Sequence, residues 1–255
     1  MKRLVPLLAL LAGCAVGPDY GDPEFAMPPS WSVRTDSPAD LARWWTSLGD
    51  PVLDRLVERA LAGSPDLAVA EARLRESRAL RASKTADLLP DLDLGGSLTR
   101  SRNSGHGPPI PGTKRTNLYQ AGFDAVWELD FWGGQRRGVE AAQALLEAEE
   151  EAFRDVRVTL IAEVARNYAE VRGAQARLRV AERGRRGQVE ILELVRARFD
   201  AGLVTDLDVA RAEAAVDGID ARVGTFLQTR DRAIHRLAAL LGLWPGALVE
   251  ELAAA

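Results

Sequence analysis

Apolar residues recur through most of this chain at intervals of three and four, the period of an amphipathic helix, and the period falls to two in one stretch. Asp50-Pro51 supplies an N-cap followed by proline at the first helical position, and Gly63 stops that helix after Leu61. Ser64-Pro65 repeats the device and opens a second helix to about Leu89, where Pro90 forbids continuation. Trp44 and Trp45 stand just ahead of the first helix and are expected to pack onto it.

Alternation then takes over. In Asp91–Arg100, Leu92, Leu94 and Leu98 fall on one face and Asp91, Asp93, Ser97 and Thr99 on the other. In Tyr119–Phe131, Tyr119, Ala121, Phe123, Ala125, Trp127, Leu129 and Phe131 alternate against Gln120, Asp124, Glu128 and Asp130. Between them Arg102–Thr116 is polar and rich in glycine and proline, a long hairpin loop.

After Gly133-Gly134 the helical period resumes. Phe153, Val156, Leu160, Val164, Tyr168, Val171 and Leu178 form one stripe, and the pattern continues through Val189, Leu192, Val195 and Phe199. A helix from about Arg137 to Asp200 would be ~95 Å long. Gly202 supplies a C′ position, and Thr205-x-x-Asp208 is a capping box that starts a return helix of ~55 Å, ending at Gly242. Alanine-rich, irregular heptads predict helix-on-helix packing rather than a zipper dimer. The predicted fold is mainly α with a β-hairpin: long antiparallel coiled-coil-like helices plus two strands.

Composition refines this picture. Aromatic residues make up only 6% of the 255, in keeping with long helices. Lys2 and Arg3 precede a short apolar run, and Leu11-Ala12-Gly13-Cys14 resembles the lipobox of bacterial lipoproteins. Residues 1–13 read as a signal peptide, Cys14 as the acylated (palmitate-bearing) N-terminus, and 14–43 as an extended tether. Removing Met1–Gly13 leaves 31 basic against 37 acidic residues, a net charge of −6, which argues against a nucleic-acid partner. Cys14 is the only cysteine, so a disulfide is not available. No later segment is apolar enough for a membrane-spanning helix, so any crossing falls to the strands.

Each strand run approaches the ~9–11 residues that a tilted strand needs to cross a bilayer. Taken alone the pattern also suits a half-buried hairpin in a soluble sheet. The membrane reading rests on Tyr119 near one end and Trp127 and Phe131 near the other, an aromatic girdle, and on the absence of any neighbouring strand.

The order of these pieces resembles the outer-membrane factor family, the TolC-like outlet channels of efflux pumps, in its NodT-type lipoprotein branch. The resemblance is carried by Cys14-Ala-Val-Gly-Pro-Asp-Tyr20, Trp44-Trp45 with Asp50-Pro51-x-Leu53, and Ser64-Pro-Asp-Leu67. It continues through Trp127-Glu-Leu-Asp-Phe131, Ala165-Arg-Asn-Tyr168, Arg198-Phe-x-Ala-Gly-Leu203, Asp208-Val-Ala-Arg-Ala212 and Leu240-Leu-Gly242. It implies a homotrimer when complete, with four strands per protomer in a shared barrel, and two similar halves per protomer, of which this sequence carries the first. It also implies partners: a periplasmic adaptor (membrane fusion) protein, an inner-membrane RND-type pump and outer-membrane lipids. Periplasmic helices are then expected at 44–89, a transmembrane hairpin at 90–132 with an external loop at 101–116, a helical hairpin at 133–245 with its tip near 200–206, and a tail at 246–255 marking a truncation point.

The tip carries Arg198, Ala201, Gly202, Leu203 and Thr205, which the resemblance places at the adaptor contact. Gly202 is equally a helix cap, whereas Leu203 is an apolar residue on an exposed turn and calls for a partner. Asp91, Asp93, Asp124, Glu128 and Asp130 would face the barrel lumen, chiefly as solvated groups. Arg100, Arg102, Lys114 and Arg115 flank the loop, read first as solvated charges and second as groups within reach of lipopolysaccharide phosphates. His106 and His235 are far apart and have no cysteine to join them, so no metal site is expected, and no cofactor beyond the lipid on Cys14. With no nucleophile elbow or phosphate loop, the expected role is a passive efflux conduit in the outer membrane and not an enzyme. The rival reading is a non-channel periplasmic lipoprotein that acts as a helical interaction rod.

Overall fold

The computed structural model describes residues 17–21, 23–26, 41–102 and 115–253, excepting the side chain of Leu41. Cys14, the signal segment, His106 and Lys114 lie outside the described residues. The elements are a short 3-10 segment (Leu41–Leu48), α1 (Pro51–Gly63), α2 (Pro65–Ala86), β1 (Asp91–Arg102), β2 (Arg115–Val126), α3 (Gly134–Asp200), α4 (Asp206–Leu240) and α5 (Val249–Ala253). The chain divides into two compact units, residues 1–27 with 74–150 and residues 28–73 with 151–255.

The second unit holds the main core. α1 buries Leu53, Leu56, Val57 and Ala60, the i, i+3, i+4, i+7 stripe of one helix face. Against this stripe pack Leu160, Val164, Tyr168 and Val171 of α3, Ile234 and Leu237 of α4, and Leu248 and Leu252 around α5. Each fully buried leucine contributes about 1.5–3 kcal/mol. Trp45 joins this core at 4% exposure, while Trp44 meets it edge-on at 6.4 Å and stays 37% exposed. Only one of the two tryptophans therefore packs as expected.

Asp50 starts α1 as the pattern predicts. Its Oδ1 accepts from the Val52 and Leu53 amides at 2.9 and 3.4 Å. Its Oδ2 accepts from the Tyr168 hydroxyl at 2.5 Å, so the same side chain also joins α1 to α3. Arg172 Nε donates to that hydroxyl at 2.9 Å, and a second Arg172 nitrogen donates to Gln175 Oε1. Gln175 in turn donates to the Leu252 carbonyl at 2.5 Å, closing a polar chain from the cap of α1 to α5.

Ser64 departs from its expected role. Its hydroxyl is buried without a partner, and its backbone alone serves both helices, the amide donating to Ala60 O and the carbonyl accepting from Ala68 N. The neighbouring backbone is crowded: a Cβ on Gly63 would stand 3.1 Å from Leu241 O, and one on Gly242 2.6 Å from Gly63 O. The ends of α1 and α4 meet backbone to backbone at a pair of glycines.

In the first unit β1 and β2 form an antiparallel pair. α2 ends at Ala86, three residues short of the expected Leu89, because Leu88 and Leu89 close it with tight turns to Thr85 O and Ala86 O before Pro90. β2 is displaced from its expected span: it runs Arg115–Val126, not Tyr119–Phe131. Trp127 has left the ladder and donates from Nε1 to Leu88 O at 3.1 Å. Asp130 has turned to accept from the Arg136 amide at 3.0 Å and from Arg136 Nε at 3.3 Å, serving the entry of α3. In the same unit Arg137 donates to Asp19 Oδ1 at 2.6 Å and to Gly17 O at 3.3 Å, holding the Gly17-Pro-Asp-Tyr20 segment against the first turn of α3.

Candidate functional site

Two features present unpartnered apolar groups, one in each unit. In the second unit α3 turns into α4 through Ala201–Thr205. Gly202 takes φ +73, a conformation that costs other residues about 1–2 kcal/mol. Gly202 N donates to Phe199 O at 2.8 Å and Leu203 N to Arg198 O at 2.9 Å, the paired bonds of a Schellman end. Asp208 then accepts from the Thr205 amide at 2.9 Å and from its hydroxyl at 2.7 Å, the return arm of the expected capping box. Those bonds, the backbone one first, outweigh slight desolvation and hold the Asp208 carboxyl below the usual carboxylate range.

The same helix ending occurs at Gly242, with φ +69 and Leu243 N donating to Ala238 O at 2.8 Å. There the residue after the glycine, Leu243, packs against the core. At the tip its counterpart Leu203 is 74% exposed. A Schellman end normally places this residue against an apolar group one turn back. The tip offers Arg198 and Ala197 at those positions where the Gly242 end offers Ala238 and Leu237, so little apolar surface is available there to cover Leu203. Phe199 and Leu207, at 41% and 57% exposure, extend the apolar tip beyond the residues singled out from sequence. Their signal was present as apolar positions one turn either side of Leu203, but Phe199 also continues the stripe of Val189, Leu192 and Val195 and reads as core. Behind the tip Leu192, Ala212 and Val216 form a small separate core, and Arg196 Nη2 donates to Glu213 Oε1 at 2.7 Å across the hairpin.

In the first unit the register pairs Leu92 with Ala125, Leu94 with Phe123, Gly96 with Ala121 and Leu98 with Tyr119, one apolar row shared by both strands. The opposite row pairs Asp93 with Asp124 and Ser97 with Gln120, and the Ser97 hydroxyl donates to Gln120 Oε1 at 3.3 Å. Asp91, Asp93 and Asp124 thus share a face as expected, whereas Glu128 and Asp130 lie beyond β2 and do not belong to it. Of the expected girdle, Tyr119 stands on the apolar row, and Trp127 and Phe131 follow the strand end. Both strands are exposed along their whole length on both faces. A lone two-stranded hairpin of this kind is marginal in water, and Phe123 and Leu94 are each left 73% exposed by the described residues.

No helix among the described residues is long and apolar enough to cross a membrane. Long paired helices joined to a strand hairpin with one apolar and one mostly polar face form the architecture of an outer-membrane channel chain. The comparison with known proteins carries this from class to family. The model of the outer membrane efflux protein family matches residues 56–243, and the chain belongs to that family. It is 32% identical to nodulation protein T of Rhizobium leguminosarum bv. trifolii over 96% of this chain and 52% of that relative. It is 33% identical to the pyoverdine export outer membrane protein OpmQ of Pseudomonas aeruginosa over 94% of this chain and 52% of that protein. The solved outer-membrane channel OprN superposes with a TM-score of 0.73 at 36% identity, covering 94% of this chain and 54% of that one. The chain therefore spans about half the length of the relatives it matches.

Proposed function

We propose that this chain contributes to a passive conduit across the outer membrane, the outlet of a tripartite efflux system. β1 and β2 supply part of the barrel wall, and α3 and α4 part of a periplasmic tunnel. The observation that carries the reading is the strand hairpin, whose apolar row is uncovered by any of the described residues and whose opposite row is mostly polar, with Leu118 and Val126 as its apolar members. Lipid on one side and water on the other satisfy both rows at once. The barrel closes when neighbouring strands, in a trimer of complete protomers, pair with the free edges of β1 and β2.

In this reading the tip around Arg198, Ala201, Gly202, Leu203 and Thr205 meets a periplasmic adaptor, and the adaptor couples the conduit to an inner-membrane RND-type pump. Asp91, Asp93 and Asp124 face the lumen. Acyl chains on Cys14 add a membrane anchor. The chain's own contribution is a wall and a docking point, with energy supplied by the pump and no catalytic step at this chain.

Protease treatment of intact cells tests the reading. A conduit places residues 103–114 outside the cell, so external trypsin cleaves there while the strands stay protected. A loop shielded from outside protease while the chain is present in the envelope would favour a periplasmic rod instead.

A further inference from the structure

The strand hairpin segregates its charge along its length, a feature the conduit itself does not require. No acidic residue occurs between Asp93 and Asp124, whereas Arg100, Arg102, Lys114 and Arg115 all fall in that interval. The register sets Arg102 directly opposite Arg115, and Arg100 opposite Asn117. Side chains alternate along a strand, so these three arginines continue the row of Leu92, Leu94 and Leu98, not the row of Asp91 and Asp93. All three are exposed, and none has a carboxylate partner among the described residues.

Like charges directly opposite each other destabilise a strand pair, with Cβ atoms only ~5 Å apart. The hairpin tolerates the Arg102–Arg115 pair readily if an anion lies across it. The depth of the pair says which kind of anion is available. Asp91 to Arg100 covers about 30 Å of strand at ~3.3 Å per residue, or about 23 Å along the membrane normal at a tilt of ~40°. The apolar band of an outer-membrane barrel is about 25 Å tall. With Asp91 at one interface, Arg100 therefore reaches the other, with Arg102 and Arg115 just above it.

We propose that Arg100, Arg102 and Arg115 bind the phosphate groups of a phosphorylated glycolipid in the outer leaflet, its acyl chains lying along Leu98, Tyr119 and Phe123. The planar guanidinium fork suits phosphate oxygens. The site sits on the row that meets lipid, which separates it from charges that merely solvate a loop. It rests on the outer-membrane reading above, with residues 103–114 outside.

The test uses the chain purified from outer membranes in detergent, with diphosphoryl lipid A and dephosphorylated lipid A as probes. Diphosphoryl lipid A is expected to bind, and the triple variant Arg100→Gln, Arg102→Gln, Arg115→Gln to lose about tenfold or more in affinity, as the loss of one or more charge-assisted bonds implies. Equal binding of both lipids, or unchanged affinity in the triple variant, overturns the site. Arg102→Gln alone covers the case in which the triple variant does not fold. Without lipid A it removes the Arg102–Arg115 repulsion and raises the thermal midpoint, and with lipid A it lowers the midpoint relative to wild type. A shift of the same sign in both conditions refutes the proposal. Trypsin access on intact cells separates the two levels: a sealed loop fails the outer-membrane orientation and the site with it, whereas an open loop with lipid binding indifferent to the arginines fails only the site.

Discussion

Gly202 and Gly242 hold the same backbone conformation at the ends of two helices, φ +73 and +69, so alanine at each separates backbone strain from crowding. A Cβ on Gly202 meets nothing within 4 Å. Gly202→Ala is therefore charged only with the left-handed conformation, about 1–2 kcal/mol. A Cβ on Gly242 lies 2.6 Å from Gly63 O and 3.3 Å from Pro65 Cδ, and Gly63 O is backbone that has no rotamer to give. Overpacking of this kind adds about 1–3 kcal/mol, so Gly242→Ala should lose about 3–4 kcal/mol in all. At about 2–4 °C per kcal/mol for a chain of this size, the midpoints should fall by ~4 °C and ~10 °C respectively. Urea titration followed by far-UV circular dichroism gives the two losses on one scale. Equal losses at the two glycines would mean that the ends of α1 and α4 do not approach as closely as the structure places them. Gly63→Ala supplies an internal check. Its Cβ would sit 3.1 Å from Leu241 O, so the helix-propensity gain of about 1 kcal/mol should be largely cancelled.

Leu203→Asp should abolish export of a pump substrate while leaving the amount of chain in the outer membrane unchanged, measured by drug accumulation and membrane fractionation; equal loss of both would refute a contact role. Tyr168→Phe removes the hydroxyl donated to Asp50 and should lower stability by about 1 kcal/mol in the same urea assay. Burial raises the Asp50 pKa, but hydrogen bonds from Tyr168, Val52 and Leu53 and the charge of Arg172 outweigh it, so the carboxyl sits below its usual value. A lowered folded pKa means stability that is complete above the unfolded value of about 3.9 and lost as pH falls through the folded one. Asp50→Asn should accordingly flatten the decline of stability below about pH 4, and an unaltered acid limb would remove Asp50 from the account. In planar bilayers, reversal potentials of the assembled channel should indicate a modest cation preference, reduced by Asp93→Asn with Asp124→Asn; anion preference would overturn the assignment of that row to the lumen.

The elements with strong local punctuation were legible in the sequence. Asp50-Pro51, Gly202 and Thr205-x-x-Asp208 each act through backbone groups within a few residues, and each makes the bonds its pattern implies. Ser64-Pro65 has the same pattern and behaves otherwise: its hydroxyl is buried without a partner beside the close approach of Gly63 and Gly242, which are remote in sequence. Tyr168 reads as one more apolar stripe position, and nothing local announces that its hydroxyl reaches a helix cap more than a hundred residues away. Phe199 was hidden for the opposite reason: its spacing continues the stripe of Val189, Leu192 and Val195, and only the geometry leaves it uncovered.

The strand hairpin divides the same way, between what a period can fix and what a register must supply. Alternation assigned Leu92, Leu94, Leu98, Tyr119 and Phe123 to one side, because parity within a strand survives any error in its ends. The ends themselves were misplaced: Glu128 and Asp130 keep the alternation going past Val126, yet Asp130 is claimed by the Arg136 amide at the start of α3. The pairing of one strand with the other is fixed by the loop between them, and a loop of twelve residues leaves that register open in the sequence. With the register in place, Arg102 faces Arg115 and Asp93 faces Asp124. Each end of the hairpin therefore carries a like-charge pair that isolated strands would avoid, the basic one on the apolar row and the acidic one on the polar row. Water screens the acidic pair on the polar row. In the outer-membrane reading the basic pair ends the lipid-facing row at the level of the headgroups, and that position is what makes an anionic lipid the counterpart of the arginines.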